Sequence, residues 1–476
     1  MNNVRVRFAP SPTGHLHIGS LRAALFNWLF ARHHKGVFLL RIEDTDNQRS
    51  KQEYVDSIFS SLAWVDLLPD EPFIIQSDRI EVHKELIAQL IDQGKAYRCI
   101  CMPSEVKERQ KKSDDNQEYV QYDGFCRDKH IPVNDVRSFV VRFALPRTVS
   151  EIVFDDIIRG RISFAVDQLD DFIIARSDGR PMYNFVVVVD DEFMGITHVI
   201  RGEDHISNTP KQILLYQSLG YTLPRFAHVP LILGHSGERL SKRDAATSVE
   251  EYRQMGYLPD ALLNYLVRLG WSHGNQEIFT RDELIRDFSL EAIGKKNAIF
   301  DKVKLDWVTS IYLRDKKSGD ILEMILQLLP LFKAELEPWS DAQVLMAIDL
   351  YKERSNTLVQ LADEVKIVHD NSTPYNNEAV GQWVTDDTAQ HMQKLIDQLS
   401  SVEDFDSSSL KKTIKDITDY YSIKFVSLAQ PIRIALTGKD AAPGVYELLL
   451  LLGKDESIKR LKAFLRYVKH TVLASD

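Results

Sequence analysis

A short alternating strand, Val4-Arg5-Val6-Arg7-Phe8, runs into the turn Ala9-Pro10-Ser11-Pro12-Thr13-Gly14. His15-Leu16-His17-Ile18-Gly19-Ser20 follows, and then at once a helical pattern. This order builds a cradle for nucleotide phosphates, because a helix start presents unpaired N–H groups and the positive end of its dipole. Gly19 lets backbone approach a ligand closely, and His17 can donate hydrogen bonds to phosphate oxygens as charge moves onto them. Ser20 fits the N-cap, Leu21, Leu25, Trp28 and Leu29 share one helical face, and Gly36 fits the C-cap. Val37 to Ile42 reads as a buried strand that ends in Glu43, Asp44 and Asp46. Strand, helix and strand in this sequence imply a parallel sheet with right-handed crossovers.

Residues 81 to 94 read as an amphipathic helix. From Ala96 to about Arg176 the composition shifts to charge-rich loops and short strands, which reads as an insertion. The sheet is then expected to resume with Phe185 to Val189, a continuous apolar run taken as a strand ending in Asp190-Asp191. Ile196 to Ile200 follows, ending in Arg201-Gly202-Glu203-Asp204-His205. Leu231 to Gly237 looks like a strand and tight turn, and beyond Ala245 the pattern is mostly helical, with a linker at residues 371–377. Polar residues thus gather at strand ends, where an open parallel sheet binds ligands. Loop polarity alone would explain most of them, but not Arg5 and Arg7, which alternate with apolar residues on a strand covered on both faces. A buried Arg is costly without a partner. The run Arg239-Leu240-Ser241-Lys242-Arg243 would by itself be a solvated patch. Paired with the His17 segment, it supplies an ammonium that can close over a triphosphate.

The chain of 476 residues is too long for one core, and about three to five structural units are expected. Its formal charge of −10 does not advertise nucleic-acid binding, so an RNA partner has to be met by local basic patches. No signal peptide opens the chain and the longest Leu run, Leu448 to Leu452, is far short of a membrane span, so a cytoplasmic protein with no membrane partner is expected. Only three Cys occur, which excludes a disulfide scaffold. All three lie in the insertion, as Cys99-Ile100-Cys101 and Cys126, and the first two have the spacing of a metal knuckle. Three thiolates with one N or O donor make a closed structural site, and three unrelated buried thiols are the plainer alternative. Ile458, Leu461, Leu465 and Val468 form one apolar helical face, with Lys459, Arg460, Lys462, Arg466 and Lys469 around it. That pattern suits a surface helix and an RNA-facing one equally.

These residues carry a family resemblance. The segment from Arg7 to Ala31, with HIGS at His17 to Ser20, resembles the HIGH region of class I aminoacyl-tRNA synthetases, and RLSKR at Arg239 to Arg243 is similar to their KMSKS signature. RIEDTD (Arg41 to Asp46), GRPMYNFVVVVDD (Gly179 to Asp191) and HVIRGEDHISNTP (His198 to Pro210) resemble the glutamyl/glutaminyl subgroup. AQPIRIALTG (Ala429 to Gly438) and PGVYELLLLLGK (Pro443 to Lys454) resemble the bacterial glutamyl members. Glutaminyl relatives usually end in β-barrels, and this helical, Leu-rich tail is unlike them.

The resemblance implies an α/β, Rossmann-like catalytic domain with an inserted α+β domain, followed by all-α stem-contact and anticodon-binding domains. The boundaries expected are 1–80 and 178–222 for the catalytic halves, 81–177 for an acceptor-stem-binding insertion, 223–315 for a stem-contact region with the Lys loop, and 316–370 and 371–476 for the helical anticodon-binding region. It implies that L-glutamate is activated by ATP and passed to the terminal adenosine of tRNA(Glu), with activation typically requiring bound tRNA. A relaxed enzyme charging tRNA(Gln) is the alternative. Arg7, Ala9, Ser11, Glu43, Tyr183 and Arg201 match amino-acid pocket positions, with Arg7 and Arg201 as carboxylate partners and Glu43 facing the ammonium. His205 stands where some members carry an aromatic residue, and Val187 where some carry Asn. His17, Gly19, Asp204, Arg239 and Lys242 match ATP-contacting positions, His17 and Lys242 being catalytic, with Mg²⁺ on the phosphates. Arg354 matches an anticodon-discriminating position. Some bacterial members bind zinc with this Cys spacing. Their usual fourth ligand is a His at the position held here by Asp128, which leaves Tyr122, foremost, Asp128 and His130 as candidates. A monomer is expected.

Overall fold

The computed structural model describes residues 4–45, 49–111, 122–132, 135–238, 248–371 and 373–472. Asp46 and the run holding Arg239, Lys242 and Arg243 therefore lie outside the described residues. The chain divides into two compact units, one of residues 1–252 and 262–302, the other of residues 253–261 and 303–476.

The first unit is built on parallel strands. Arg5–Phe8 pairs with Val37–Ile42 in the register Arg5 to Val37 and Phe8 to Leu40, and Val37–Ile42 pairs on its other side with Ile74–Ile75. The crossover between the first two is the helix Ile18–His33. On the free side of Arg5–Phe8 the chain returns as His198–Gly202, whose entry is fixed by Thr197 N donating to Arg5 O at 2.9 Å. His198–Gly202 pairs in parallel with Arg225–Val229. Strand order therefore reverses beside Arg5–Phe8, which creates a crevice at the strands' C-terminal ends.

The first helix starts two residues before the Ser20 cap expected from sequence. His17 is the N-cap, its imidazole accepting from Ser20 N. Gly36 lies beyond the C-cap, His34. It is needed for close approach, since a Cβ there would lie 2.3 Å from Val4 O. Val37 N donates to that same oxygen at 2.8 Å, so Gly36 lets the strand pair begin.

The run Phe185 to Val189 is not a strand. It belongs to the helix Tyr183–Phe193, in which Phe185 through Asp191 are all buried. A short apolar run buried on every side carries neither period, and β-branched residues favour a strand only as a weak prior that packing overrides. Asp190 and Asp191 accordingly sit in a helix's last turns and not at a strand end. Within the insertion, Ala96–Cys99, Val140–Phe143 and Ile173–Ala175 form an antiparallel sheet. The hairpin of Glu151–Asp156 and Gly160–Ala165 joins the main sheet, with Asp156 beside Phe226.

The second unit's longer elements are helices, from Ser318–Leu328 to Val445–Tyr467. Their starts follow capping chemistry: Ser340 with Gln343 makes a capping box, and Thr357, Asn376 and Asp406 each cap through a side-chain oxygen. Arg460, expected among the solvent-facing basic residues, is instead buried. It donates to Val368 O and Leu436 O at 2.8 Å and to His369 O at 3.0 Å, tying the ends of two helices, Leu358–Asp370 and Phe425–Thr437, to its own. No helix among the described residues is long and apolar enough to cross a membrane.

Candidate active site

A cleft of about 760 Å³ opens at the reversal of strand order. It is lined by Arg7, Ala9, Ser11, Glu43, Tyr183 and Arg201, and also by His17, Gly19 and Asp204, so every described residue expected at the amino-acid and ATP positions meets in one place.

One side is organised by a buried chain of charges. Arg7 donates from Nε and Nη2 to Asp191 at 3.0 and 3.2 Å. Arg41 donates to Asp191 Oδ1 at 2.6 Å and to Glu43 Oε1 at 2.8 Å. Burial alone would raise the Asp191 carboxyl, but the two guanidiniums outweigh it and hold that carboxyl below its ordinary range. Burial prevails at Glu43 and raises it, with the Arg41 charge opposing. Asp190, one residue back, takes Gln76, Arg79 and His83 at 2.8–2.9 Å.

Arg201 differs from these. It is buried, and among the described residues its fork meets neutral groups only: His228 Nε2 at 3.1 Å, Gln212 Oε1 and Thr209 Oγ1 at 2.8 Å, and His205 O at 3.4 Å. Burial lowers its pKa. His205 contacts Tyr183 Oη through Nδ1 at 3.0 Å. Burial, joined by the Arg201 charge, takes its imidazole down to about 4, so it is neutral at pH 7. Burial pushes the Tyr183 phenol up to about 12. Val187 is buried within its helix.

The other side is the cradle. Ser20 N can only donate, so His17 Nδ1 accepts from it at 3.3 Å and the ring proton is on Nε2, 3.0 Å from Ser20 Oγ. Burial lowers the His17 pKa against the pull of Asp204, in keeping with a neutral ring. A Cβ at Gly19 would come within 3.1 Å of the His17 ring, and one at Gly202 within 2.5 Å of Asp204 Oδ1. A side chain at either position would displace a neighbour that lines the cleft, the His17 ring or the Asp204 carboxylate. Beneath the cradle Arg22, also lining the cleft, donates to Leu269 O at 2.5 Å and to Pro230 O. Among the described residues no carboxylate contacts it, and burial takes it down to about 9. Ser248 makes a bridge to His17 at this cleft, and Gly234 N donates to Glu238 O in a turn of its own.

The three thiols converge within 4.8 Å of one another. Tyr122 Oη lies 3.2 Å from Cys99 Sγ and 3.7 Å from Cys101 Sγ, and Cys126 Sγ lies 3.4 Å from Cys101 Sγ. Asp128 instead pairs with Arg147 at 2.7 Å on the surface, and His130 is exposed. Burial pushes the Cys101 thiol up to about 11. Three soft donors and a phenol oxygen in one buried cluster fit a metal of borderline softness. In the second unit Arg354 is exposed in the turn after the helix Asp341–Lys352. Its charge helps burial to lower the pKa of Arg433, a cation that the sequence reading did not single out.

The model of the catalytic domain of class I tRNA synthetases (E and Q) matches residues 3–307, and that of an anticodon binding domain matches residues 320–465. A glutamate–tRNA ligase of Geobacter sulfurreducens is 46% identical over 469 residues, covering 98% of this chain and 100% of that one. Glutamate–tRNA ligase 1 of Syntrophus aciditrophicus is 45% identical over 98% of both chains. Among solved structures, a glutamate tRNA ligase of Elizabethkingia meningosepticum in complex with its amino acid superposes with a TM-score of 0.86 at 33% identity, covering 98% of this chain and 99% of that one. The chain thus belongs to the class I tRNA synthetases of the glutamate and glutamine (E and Q) family.

Proposed function

We propose that this aminoacyl-tRNA ligase is a glutamate–tRNA ligase. The α-carboxylate of L-glutamate attacks the α-phosphorus of ATP, and glutamyl-adenylate and pyrophosphate result. A hydroxyl of the terminal adenosine of tRNA(Glu) then attacks the acyl carbon, and AMP leaves. The observation that carries this reading is Arg201, a buried guanidinium in the cleft whose partners are all neutral and which is therefore matched to an anionic ligand. Arg201 and Arg7 would take the substrate's side-chain carboxylate beside Ala9, Ser11 and Tyr183. Glu43, whose Oε1 receives both Arg41 bonds, has Oε2 to offer the ammonium. His17, Gly19 and Asp204 would hold ATP, with Arg239 and Lys242 closing over its phosphates and Mg²⁺ accompanying them as part of the substrate. Charge stabilisation and positioning carry such a reaction, with no covalent enzyme intermediate.

Zinc held by Cys99, Cys101, Cys126 and Tyr122 belongs to the same proposal and would fasten the insertion. Arg354, with Arg433 close by, would read the anticodon. A cytoplasmic monomer completes the proposal, and sedimentation velocity tests its stoichiometry. The deciding experiment is charging with radiolabelled glutamate, offering tRNA(Glu) and tRNA(Gln) separately. Charging of tRNA(Glu) alone is expected. Charging of tRNA(Gln) as well would establish the relaxed alternative, and charging of neither would overturn the proposal.

A further inference from the structure

Behind Arg201 lies a buried relay whose protonation is dictated by geometry. Arg201 Nε can only donate, and it meets His228 Nε2 at 3.1 Å. That nitrogen must therefore accept, which puts the ring proton on Nδ1, where Asp156 Oδ2 receives it at 2.6 Å. His228 is fully buried and Asp156 nearly so. Oδ1 of Asp156 is separately occupied by Ile158 N at 3.0 Å and Arg159 N at 2.8 Å, so the carboxylate cannot rotate without losing both. The nearest acid to Arg201 in this relay is thus one imidazole away, and its charge is not spent on the guanidinium.

We propose that Asp156 and His228 are positioning residues for amino-acid recognition: the carboxylate locks the imidazole as its Nδ1–H tautomer, and Nε2 then aims the Arg201 fork while leaving its positive charge for an anionic ligand. The inference rests on the reading of Arg201 as a glutamate-binding residue. It also explains why a carboxylate does not contact Arg201 directly. Such a contact would neutralise the cation and remove the cleft's preference for an acid over its amide.

The test is Asp156→Asn. The Ile158 and Arg159 N–H groups keep the amide oxygen at the Oδ1 position, so the NH₂ group takes the Oδ2 position, gives up the bond that His228 N makes there at 3.1 Å, and faces His228 Nδ1, and the ring proton moves to Nε2, against Arg201 Nε–H. The KM for glutamate in tRNA charging is expected to rise on the order of 10- to 100-fold, the factor for losing a hydrogen bond to a charged group, with the KM for ATP unchanged. His228→Gln, which can return an oxygen acceptor to Arg201, should recover most of the affinity that His228→Leu loses. Imidazole ¹⁵N spectra of the wild-type enzyme, assigned by difference from His228→Gln, should show the Nδ1–H tautomer whether or not the other variants fold. An Nε2–H tautomer would overturn the proposal, as would equal rises in both KM values. Arg201→Gln separates the two levels. If it raises the glutamate KM and Asp156→Asn does not, the relay fails alone. If neither changes it, the glutamate-binding reading falls and the relay with it.

Discussion

Arg7, Arg41 and Arg201 are three buried guanidiniums with different obligations. The first two share Asp191, and removing that carboxylate would leave two cations out of water with too little opposing charge. Asp191→Asn should therefore destabilise the fold by about 3–5 kcal/mol, read from denaturant unfolding. In the proposed function Lys242 acts on chemistry and not on folding. Lys242→Ala should slow adenylate formation on the order of 100-fold, measured by pyrophosphate exchange with tRNA present, while filter binding shows tRNA affinity retained. At this scale Arg7 was legible because a cation alternating with apolar residues must find a partner. Arg41 obeys the same rule inside Val37–Ile42, where the sequence shows a buried strand but not which carboxylates its one cation meets. Arg460 was misread for the opposite reason. It stands among other basic residues, and nothing local marks the one that turns inward to cap two helix ends.

Among elements, the first crossover was readable because each piece carries its own punctuation: a turn, an N-terminal signature and a glycine. The role of that glycine was not readable. Gly36 looks like a helix stop, but its hydrogen atom fills the only space left against Val4 O. Gly36→Ala must push the helix exit away from the first strand, and a loss of about 1–3 kcal/mol is expected, visible as a lowered melting temperature. The helix Tyr183–Phe193 shows where local reading fails. Four consecutive valines inside it suit a strand, and only the tertiary surroundings, apolar on every side, make a helix of them. The misassignment still led to the right neighbourhood, because Asp191 reaches the cleft's arginines from the helix's end.

For the whole molecule, the family was legible because its signatures are spread along nearly the full chain in a fixed order, which composition could never supply. The pattern of shifted groups sets an acid limit on stability. His198 and His205 are held down to about 4 by burial, against about 6.5 in an unfolded chain. Between those values the unfolded state binds protons that the folded state refuses, so stability should fall as pH drops from about 6.5 to about 4 and lose nothing further from these two groups below that. The raised carboxyl of Glu43 works in the opposite direction. Denaturant midpoints across this range measure the slope, and a flat profile would contradict the assignment of both imidazoles as neutral.

The bound chain Arg7–Asp191–Arg41–Glu43 has a further consequence. It holds two positive and two negative groups, so it is already balanced before any guest arrives. Beyond that chain the cleft carries Asp204 on the cradle side, Arg201 on one wall and Arg22 beneath the other, and among the described residues neither arginine has a carboxylate in contact. Enlarging this cleft would not teach it to prefer a neutral guest. Such a redesign has to begin by discharging a wall, because the site counts charge before it measures shape.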